Sequence, residues 1–383
     1  MPTAVNTILA EIRLLQAEGK SVVSLMRGEP DFATPVHIVD AAAEALRAGR
    51  TRYPDNRGEI GLREAVAAKL ARDNGLSYDP GSEILITTGA TLGIHVALMA
   101  LLSEGDEVLL PDPVYDAYRS PTLLAGGRVR PVPATIEEGR FVLTAAAIEA
   151  SVTPASRVLL LNTPWNPVGT VFRESELRPI VDVVIRNNLV LISDEIYEAI
   201  TYDDSRHVSP ATFSAEARAR TVVVNSLSKT YAMTGWRVGY CAAPAPIIQA
   251  MLLVLQQSSR GPATFVQDAA AAALTSPQSS VGDMRREYAA RREQVLQATA
   301  GLPGVRALSP EGGFFTMLDV RDLGVPSDDL RRRLLTDAGV AVVHGAAFGR
   351  MGEGTLRVSF ASGGDELTRG LQRLRAGLLE CGR

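Results

Sequence analysis

Between residues 57 and 245 the chain alternates short apolar runs with longer stretches of mixed polarity. The apolar runs lie at 83–87, 107–110, 128–132, 157–161, 190–193, 221–225 and 238–242. Most are near-continuous in Val, Ile and Leu, the pattern of strands buried on both faces. Helical periodicity marks 61–73, 92–102, 174–187 and 215–220. Alternation of this kind predicts a mainly parallel sheet covered by helices, an α/β architecture. Beyond Pro277 the pattern changes. A long charged helix is expected over 278–300, a strand over 313–319, a helix over 328–338, and short strands over 340–343 and 356–361. A last helix starts at Asp365. These read as a smaller α+β unit, joined by a helix-like start and the loop Arg27-Gly-Glu-Pro-Asp-Phe32. The expected division is a large domain over 48–285 and a small domain over 1–47 and 286–383. No internal repeat or low-complexity linker interrupts it.

Polar and glycine residues cluster where the predicted strands end, as in Thr88-Gly-Ala-Thr91, Asn162-Thr-Pro-Trp-Asn-Pro-Val-Gly169 and Asp194-Glu195. Ligands of open α/β sheets bind outside the carboxyl ends of the strands, so the chemistry should converge there.

Bulk composition narrows the partners. A chain of 383 residues suggests two domains, and 46% hydrophobic with 21% charged residues is an ordinary globular balance. A net charge of −4 gives no reason to expect nucleic acid or an anionic membrane. No apolar run approaches the roughly 20 residues that span a bilayer. The opening Met1-Pro-Thr-Ala-Val-Asn lacks the features of a signal peptide, and Cys241 and Cys381 have neither metal-ligand nor disulfide spacing. A reducing, cytoplasmic home is the expectation.

The basic residues are unusual. Of 39, only Lys20, Lys69 and Lys229 are lysines. Arginine stays protonated near neutral pH, whereas a lysine with a depressed pKa can form a Schiff base. Lys229 follows the apolar run 221–225 within Ser226-Leu-Ser-Lys-Thr-Tyr-Ala-Met-Thr-Gly-Trp-Arg237. That would place an amine beside a phosphorylated aldehyde, although most lysines are surface residues. Lys20 and Lys69 read as helix-edge lysines in polar surroundings with no matching partners.

Other candidates follow the strand ends. Ala90 and Thr91 open a helix whose N-terminus could hold a phosphate, or the segment is ordinary capping. Ser226, Ser228 and Arg237 could contact the same phosphate, or serve as turn serines and a surface arginine. Asp194 ends a buried run, where a carboxylate is costly unless paired. A protonated pyridine nitrogen would pair it, and a helix cap is the plainer use. Tyr197 could reach a phenolic oxygen of such a ring, and Tyr115 could stack on it; each could instead be core. Asn166 precedes a proline and is biased to extended backbone, so its amide can point into a cleft. Arg357 sits inside a strand-like run and would need an anion if buried, such as a substrate carboxylate.

Together these motifs resemble the class I/II aminotransferases, the aspartate aminotransferase-like members of the fold-type I pyridoxal-phosphate enzymes. The resemblance spans nearly the whole chain. Gly28-Glu-Pro-Asp-Phe32 is similar to the family's substrate loop, and Tyr53 before Gly58 to its phosphate-contacting tyrosine from the partner subunit. Asn162–Gly169 is similar to its Asn-Pro-Thr-Gly element, Ser193–Tyr197 to its pyridine-nitrogen strand, and Ser226–Gly239 to its lysine segment. The resemblance implies the fold-type I architecture, a large domain with a seven-stranded sheet plus a small domain, in a homodimer with shared active sites and pyridoxal 5′-phosphate as cofactor. It implies that Lys229 holds the cofactor and moves the α-proton, with Asp194 on the ring nitrogen. Tyr197 and Asn166 would contact the phenolic oxygen, and Tyr115 would stack on the ring. Ala90, Thr91, Ser226, Ser228, Arg237 and the partner's Tyr53 would hold the phosphate. Gly28, Asn166 and Arg357 would bind the substrate carboxylate. The implied reaction is ping-pong transfer of an amino group from an amino acid to a 2-oxo acid. The same scaffold also supports C–S lyases, decarboxylases and oxidases or cyclases, which the motifs do not separate. A DNA-binding regulator on this fold would need an extra basic domain, for which the chain has no room.

Three departures stand out. Val168 replaces the usual threonine of the Asn-Pro-Thr-Gly element, and Trp165 is bulky for its position and expected to shape the pocket. Arg260 lies in a segment that often carries small hydroxyl residues, so it could reach a distal acidic group across a dimer interface, or form an interface salt bridge.

Overall fold

The computed structural model describes residues 4–381; the Met1-Pro-Thr opening and residues 382–383 lie outside them. All seven predicted central strands form, as β1 (Ile84–Thr87), β2 (Glu107–Asp112), β3 (Arg128–Pro133), β4 (Ser156–Asn162), β5 (Val190–Asp194), β6 (Thr221–Ser226) and β7 (Gly239–Ala242). They make one sheet in the order β1-β7-β6-β5-β4-β2-β3. Neighbours are parallel except β7, which runs against both β1 and β6.

Alternate side chains of these strands feed different cores. Leu85, Val108, Leu110, Val158, Leu160, Ile192, Val222 and Val224 face the helices Ala90–Leu101 and Ala245–Ser258. Leu109, Leu159, Leu161 and Leu191 pack instead with the helix Glu174–Arg186. Ile84, Ile86, Val223 and Tyr240 meet the helices Ile60–Asn74 and Thr264–Thr275. Each fully buried Val, Leu or Ile contributes roughly 1.5–3 kcal/mol, which is why both faces are apolar. β3 is the exception. It closes one edge and leaves Arg128, Arg130 and Pro131 exposed, so the expectation of burial on both faces fails there.

The smaller layer is an antiparallel sheet. Its strands β8 (Arg306–Leu308), β9 (Phe315–Asp319), β10 (Val343–His344) and β11 (Thr355–Ser359) lie in the order β8-β9-β11-β10. The helices Ser279–Thr299, Ser327–Thr336 and Gly364–Cys381 accompany it. The strand expected over 340–343 divides. Val340–Ala341 pairs in parallel with Val23–Ser24, and Val343 pairs with Arg357. The amino-terminal segment is thereby hydrogen-bonded into this layer. Arg357 lies on an interior strand, held by Met317 on one side and Val343 on the other, so the edge-strand alternative falls away.

Two sequence readings are corrected. Lys69 is buried rather than at a polar helix edge: its ammonium pairs with Glu198 and donates to Asn74 Oδ1 at 2.7 Å. Trp165 does not shape the cavity. It is buried in the core beneath, stacked on Phe172 at 5.6 Å between centroids.

Candidate active site

Because β7 opposes its neighbours, β1, β2, β4, β5 and β6 all point their carboxyl ends to one edge of the sheet. β7 begins at that edge, which puts Arg237 there too. A cavity of about 840 Å³ opens over it. Gly28, Ala90, Thr91, Tyr115, Asn166, Asp194, Tyr197, Ser226, Ser228, Lys229, Arg237 and Arg357 all line it. Tyr53 and Arg260 do not. Tyr53 is 83% exposed, with the Arg260 guanidinium 5.3 Å from its ring.

At one end the cavity is built for an anion. The helix Ala90–Leu101 starts here, and its first backbone N–H groups are free of helical partners. Gly89 precedes it at φ 80°, and a Cβ there would stand 2.7 Å from Arg237 Nη2. The guanidinium therefore lies against the helix start, on a site only glycine leaves open. Ser226 caps its own short helix by accepting from the Ser228 N–H at 3.1 Å, and donates to Ser228 Oγ at 2.7 Å. Cation, hydroxyls and helix N-terminus share one corner.

In the middle lies Asp194, buried at the tip of β5. Its Oδ1 accepts from the Ile196 N–H at 3.2 Å and its Oδ2 from the Tyr118 hydroxyl at 2.5 Å. No cation pairs with it among the described residues. Burial pushes the carboxyl up to about 6, against the two hydrogen bonds that favour the ion. Tyr197, three residues further in the turn after β5, is buried edge-on to Phe314 at 5.4 Å. Burial pushes its phenol up, so it enters the cavity neutral and able to donate.

Lys229 is half-buried and donates to the Gly28 carbonyl at 2.6 Å. Loss of hydration lowers its amine to about 8, with Arg237 adding to the fall and Glu29 opposing it. The surface-lysine alternative does not describe this residue.

At the far end Arg357 is buried between Phe315 and Phe348, whose centroids lie 4.3 and 4.6 Å from its Cζ. Its Nη1 donates to Asn166 Oδ1 at 3.2 Å, and its Nε has no partner among the described residues. Burial lowers this guanidinium to about 10. A relay of hydrogen bonds joins it to Asp194. The Asn166 N–H donates to Asn162 Oδ1 at 2.8 Å, and Asn162 Nδ2 donates to the Asp194 carbonyl at 2.9 Å.

Sequence reasoning missed Tyr118, Phe315, Phe348 and the bridging role of Asn162. Tyr118 had a signal: it follows Tyr115 by three residues, one turn of the 3₁₀ helix Asp116–Tyr118, and their rings meet edge to face at 5.4 Å. The two phenylalanines come from distant segments of the small layer and carried none.

A molecule with a phosphate at one end, a basic ring nitrogen and an aldehyde between would meet the anion corner, Asp194 and Lys229 in turn. Pyridoxal phosphate has that layout, and on this sheet order it defines the class: a fold-type I, pyridoxal-phosphate-dependent enzyme. The sequence profile of the aminotransferase class I and II family matches residues 20–374. The chain is 41% identical to an aspartate aminotransferase of Pyrococcus abyssi over 378 residues, 97% of this chain and 96% of that one. It is 40% identical to aromatic-amino-acid aminotransferase 2 of Thermococcus litoralis, with the same coverage. A crystal structure of the aspartate aminotransferase from Rhizobium meliloti superposes with a TM-score of 0.95 at 35% identity, covering 99% of this chain and 96% of that one. The chain belongs to the aminotransferase class I and II family, and it is an aminotransferase that works with pyridoxal phosphate.

Proposed function

We propose that this enzyme moves an α-amino group between an L-amino acid and a 2-oxo acid in two half-reactions, with Lys229, Asp194, Tyr197 and Arg357 at its centre. One observation carries the reading: an amine, a carboxylate and a guanidinium line a single cavity, each without an ionic partner among the described residues. Bound pyridoxal phosphate supplies a carbonyl carbon for amines and an electron sink for the pair left by the α-proton.

The chain's own groups do the rest. Ala90, Thr91, Ser226, Ser228 and Arg237 hold the phosphate. Asp194 keeps a proton on the ring nitrogen, and Tyr197 and Asn166 donate to the phenolic oxygen, with Tyr115 against the ring. Arg357 takes the substrate α-carboxylate in a bidentate contact, aided by Gly28 and Asn166. Lys229 holds the cofactor through its Nζ until substrate arrives. Freed, its Nζ would take the proton from the substrate α-carbon and carry it to the former aldehyde carbon of the cofactor, on the other side of the nitrogen. An amine near 8 is a competent base and, once charged, a competent acid at neutral pH.

The division at 48–285 and at 1–47 with 286–383 belongs to the same proposal, as does a homodimer in which Tyr53 and Arg260 serve the partner's cavity. Tyr53 would touch phosphate there, and Arg260 a distal acidic group of the substrate. A cytoplasmic home fits the two free cysteines. Among the described residues no helix is long and apolar enough to cross a membrane.

A panel of amino acids against 2-oxoglutarate and pyruvate, followed by cofactor absorbance, tests the reaction. Relatives named for aspartate and for aromatic amino acids make those the first donors to try. Stoichiometric 2-oxo acid is expected; ammonia in its place would reject transfer. Borohydride reduction and peptide mapping should place the cofactor on Lys229, and any other lysine would overturn the site.

A further inference from the structure

We propose that Tyr118 is a positioning residue for the ring nitrogen: its hydroxyl holds Asp194 ionised and fixed in orientation, so that the proton stays on the ring. The inference rests on the reading of Asp194 as the ring-nitrogen partner.

Tyr118 is buried, and a buried phenol requires an acceptor. Its acceptor is Asp194 Oδ2 at 2.5 Å, the short length of a hydrogen bond to a charged oxygen. The Ile196 N–H occupies Oδ1 at 3.2 Å. A carboxylate offers about four lone-pair sites, so two remain for a ring N–H. With both oxygens held, the group cannot rotate. Tyr118 is itself locked. It ends the 3₁₀ turn Asp116–Tyr118, its carbonyl accepts from Thr122 Oγ1 at 2.9 Å, and the Tyr115 ring lies edge-on against it. Tyr115, which also lines the cavity, and the Tyr118 donor thus come from one turn.

The charge balance gives the hydroxyl its work. Burial favours a neutral Asp194, and Glu195 pushes the same way; Tyr118 and the Ile196 amide oppose them. Without the phenol, the neutral pair of protonated Asp194 and unprotonated ring nitrogen gains ground. An unprotonated ring is a weaker electron sink.

Three measurements on Tyr118→Phe test this. With ¹⁵N-labelled pyridoxal phosphate in the holoenzyme, the ring-nitrogen resonance should move from the pyridinium toward the neutral position. Turnover should fall about tenfold while KM for the amino donor moves less than about twofold, since the α-carboxylate site is untouched. The third is affinity of the apo-enzyme for pyridoxal phosphate against an analogue with CH in place of the ring nitrogen. The wild type should prefer the nitrogen compound, and the variant should lose about fivefold or more of that preference.

The failures are distinguishable. If the wild type binds both compounds equally, Asp194 is not the ring partner and both readings fall. If the wild type discriminates and the variant discriminates as strongly, only the proposal for Tyr118 falls. Should Tyr118→Phe not fold, 3-fluorotyrosine at position 118 keeps the shape and strengthens the donor. The Asp194 titration in the apo-enzyme must then move down, and an unmoved midpoint overturns the proposal.

Discussion

Lys229, Asp194 and Arg357 share a physical condition: each is an ionisable group taken from water without a counter-ion among the described residues. That costs stability unless a ligand completes it. For Lys229 the cost appears as an amine lowered to about 8. Only the neutral amine attacks a carbonyl, so capture of pyridoxal phosphate by the apo-enzyme should speed up as pH rises through about 8. A midpoint near the ordinary lysine value of 10.5 would show that the amine is not desolvated. For Arg357 the cost appears as a guanidinium with one hydrogen bond and no ion pair. Arg357→Met should lose at least about 30-fold in kcat/KM, the equivalent of about 2 kcal/mol for a truncated buried charge contact. The same variant should melt higher than the wild type as apo-enzyme, because a solvation debt has been removed. Lower activity with unchanged or lower melting would mean that Arg357 is structural. At this scale the sequence was informative where a residue type was out of place, as with a lysine in a lysine-poor chain or an arginine in an apolar strand. The spacing of Tyr118 from Tyr115 was a signal for its place beside the cavity, but not for its role, which lies in a contact across 76 residues.

At the scale of elements, both the alternation of runs and the carboxyl-end rule could be read directly. Continuous Val/Ile/Leu runs follow from two covered faces, and every strand end that carried polar residues came to the cavity. The pairing of side chains between elements could not be read. Lys69 lies on the helix Ile60–Asn74, and its partner Glu198 follows β5 by four residues. Glu198 also accepts from Asn74 Nδ2 and Asn225 Nδ2, each at 2.7 Å. Burial works most strongly against the Glu198 carboxylate; Lys69, His207 and the hydrogen bonds from Lys69 and Asn74 together outweigh it and leave the group below its ordinary range. This network braces the turn that carries Tyr197 and the end of β6 that leads to Lys229. Lys69→Ala should therefore destabilise the fold by about 3 kcal/mol, read from denaturant unfolding, because Glu198 is left buried and charged. Lys69→Met with Glu198→Gln should recover most of the loss. If the double variant is as unstable as the single one, packing rather than charge makes the contact.

At the scale of the whole molecule, the sheet order brings twelve expected site residues to one cavity and leaves Tyr53 and Arg260 outside it. If these two residues serve a site at all, a second copy is where they would do so, since neither lines its own chain's cavity. Tyr53, exposed and carrying the Arg260 guanidinium over its ring, is placed for that. Subunit mixing decides it. In a heterodimer of Lys229→Ala with Tyr53→Ala, action across the interface gathers both lesions into one cavity and leaves the other intact. Random reassortment yields about half heterodimers, so the mixture should regain about a quarter of wild-type sites. If Tyr53 acts only within its own subunit, each cavity of the heterodimer carries one lesion and mixing restores nothing. The assay is activity at limiting pyridoxal phosphate, where loss of a phosphate contact weighs most. The two parents must be shown separately to be dimers, so that absence of rescue reports on Tyr53 rather than on assembly.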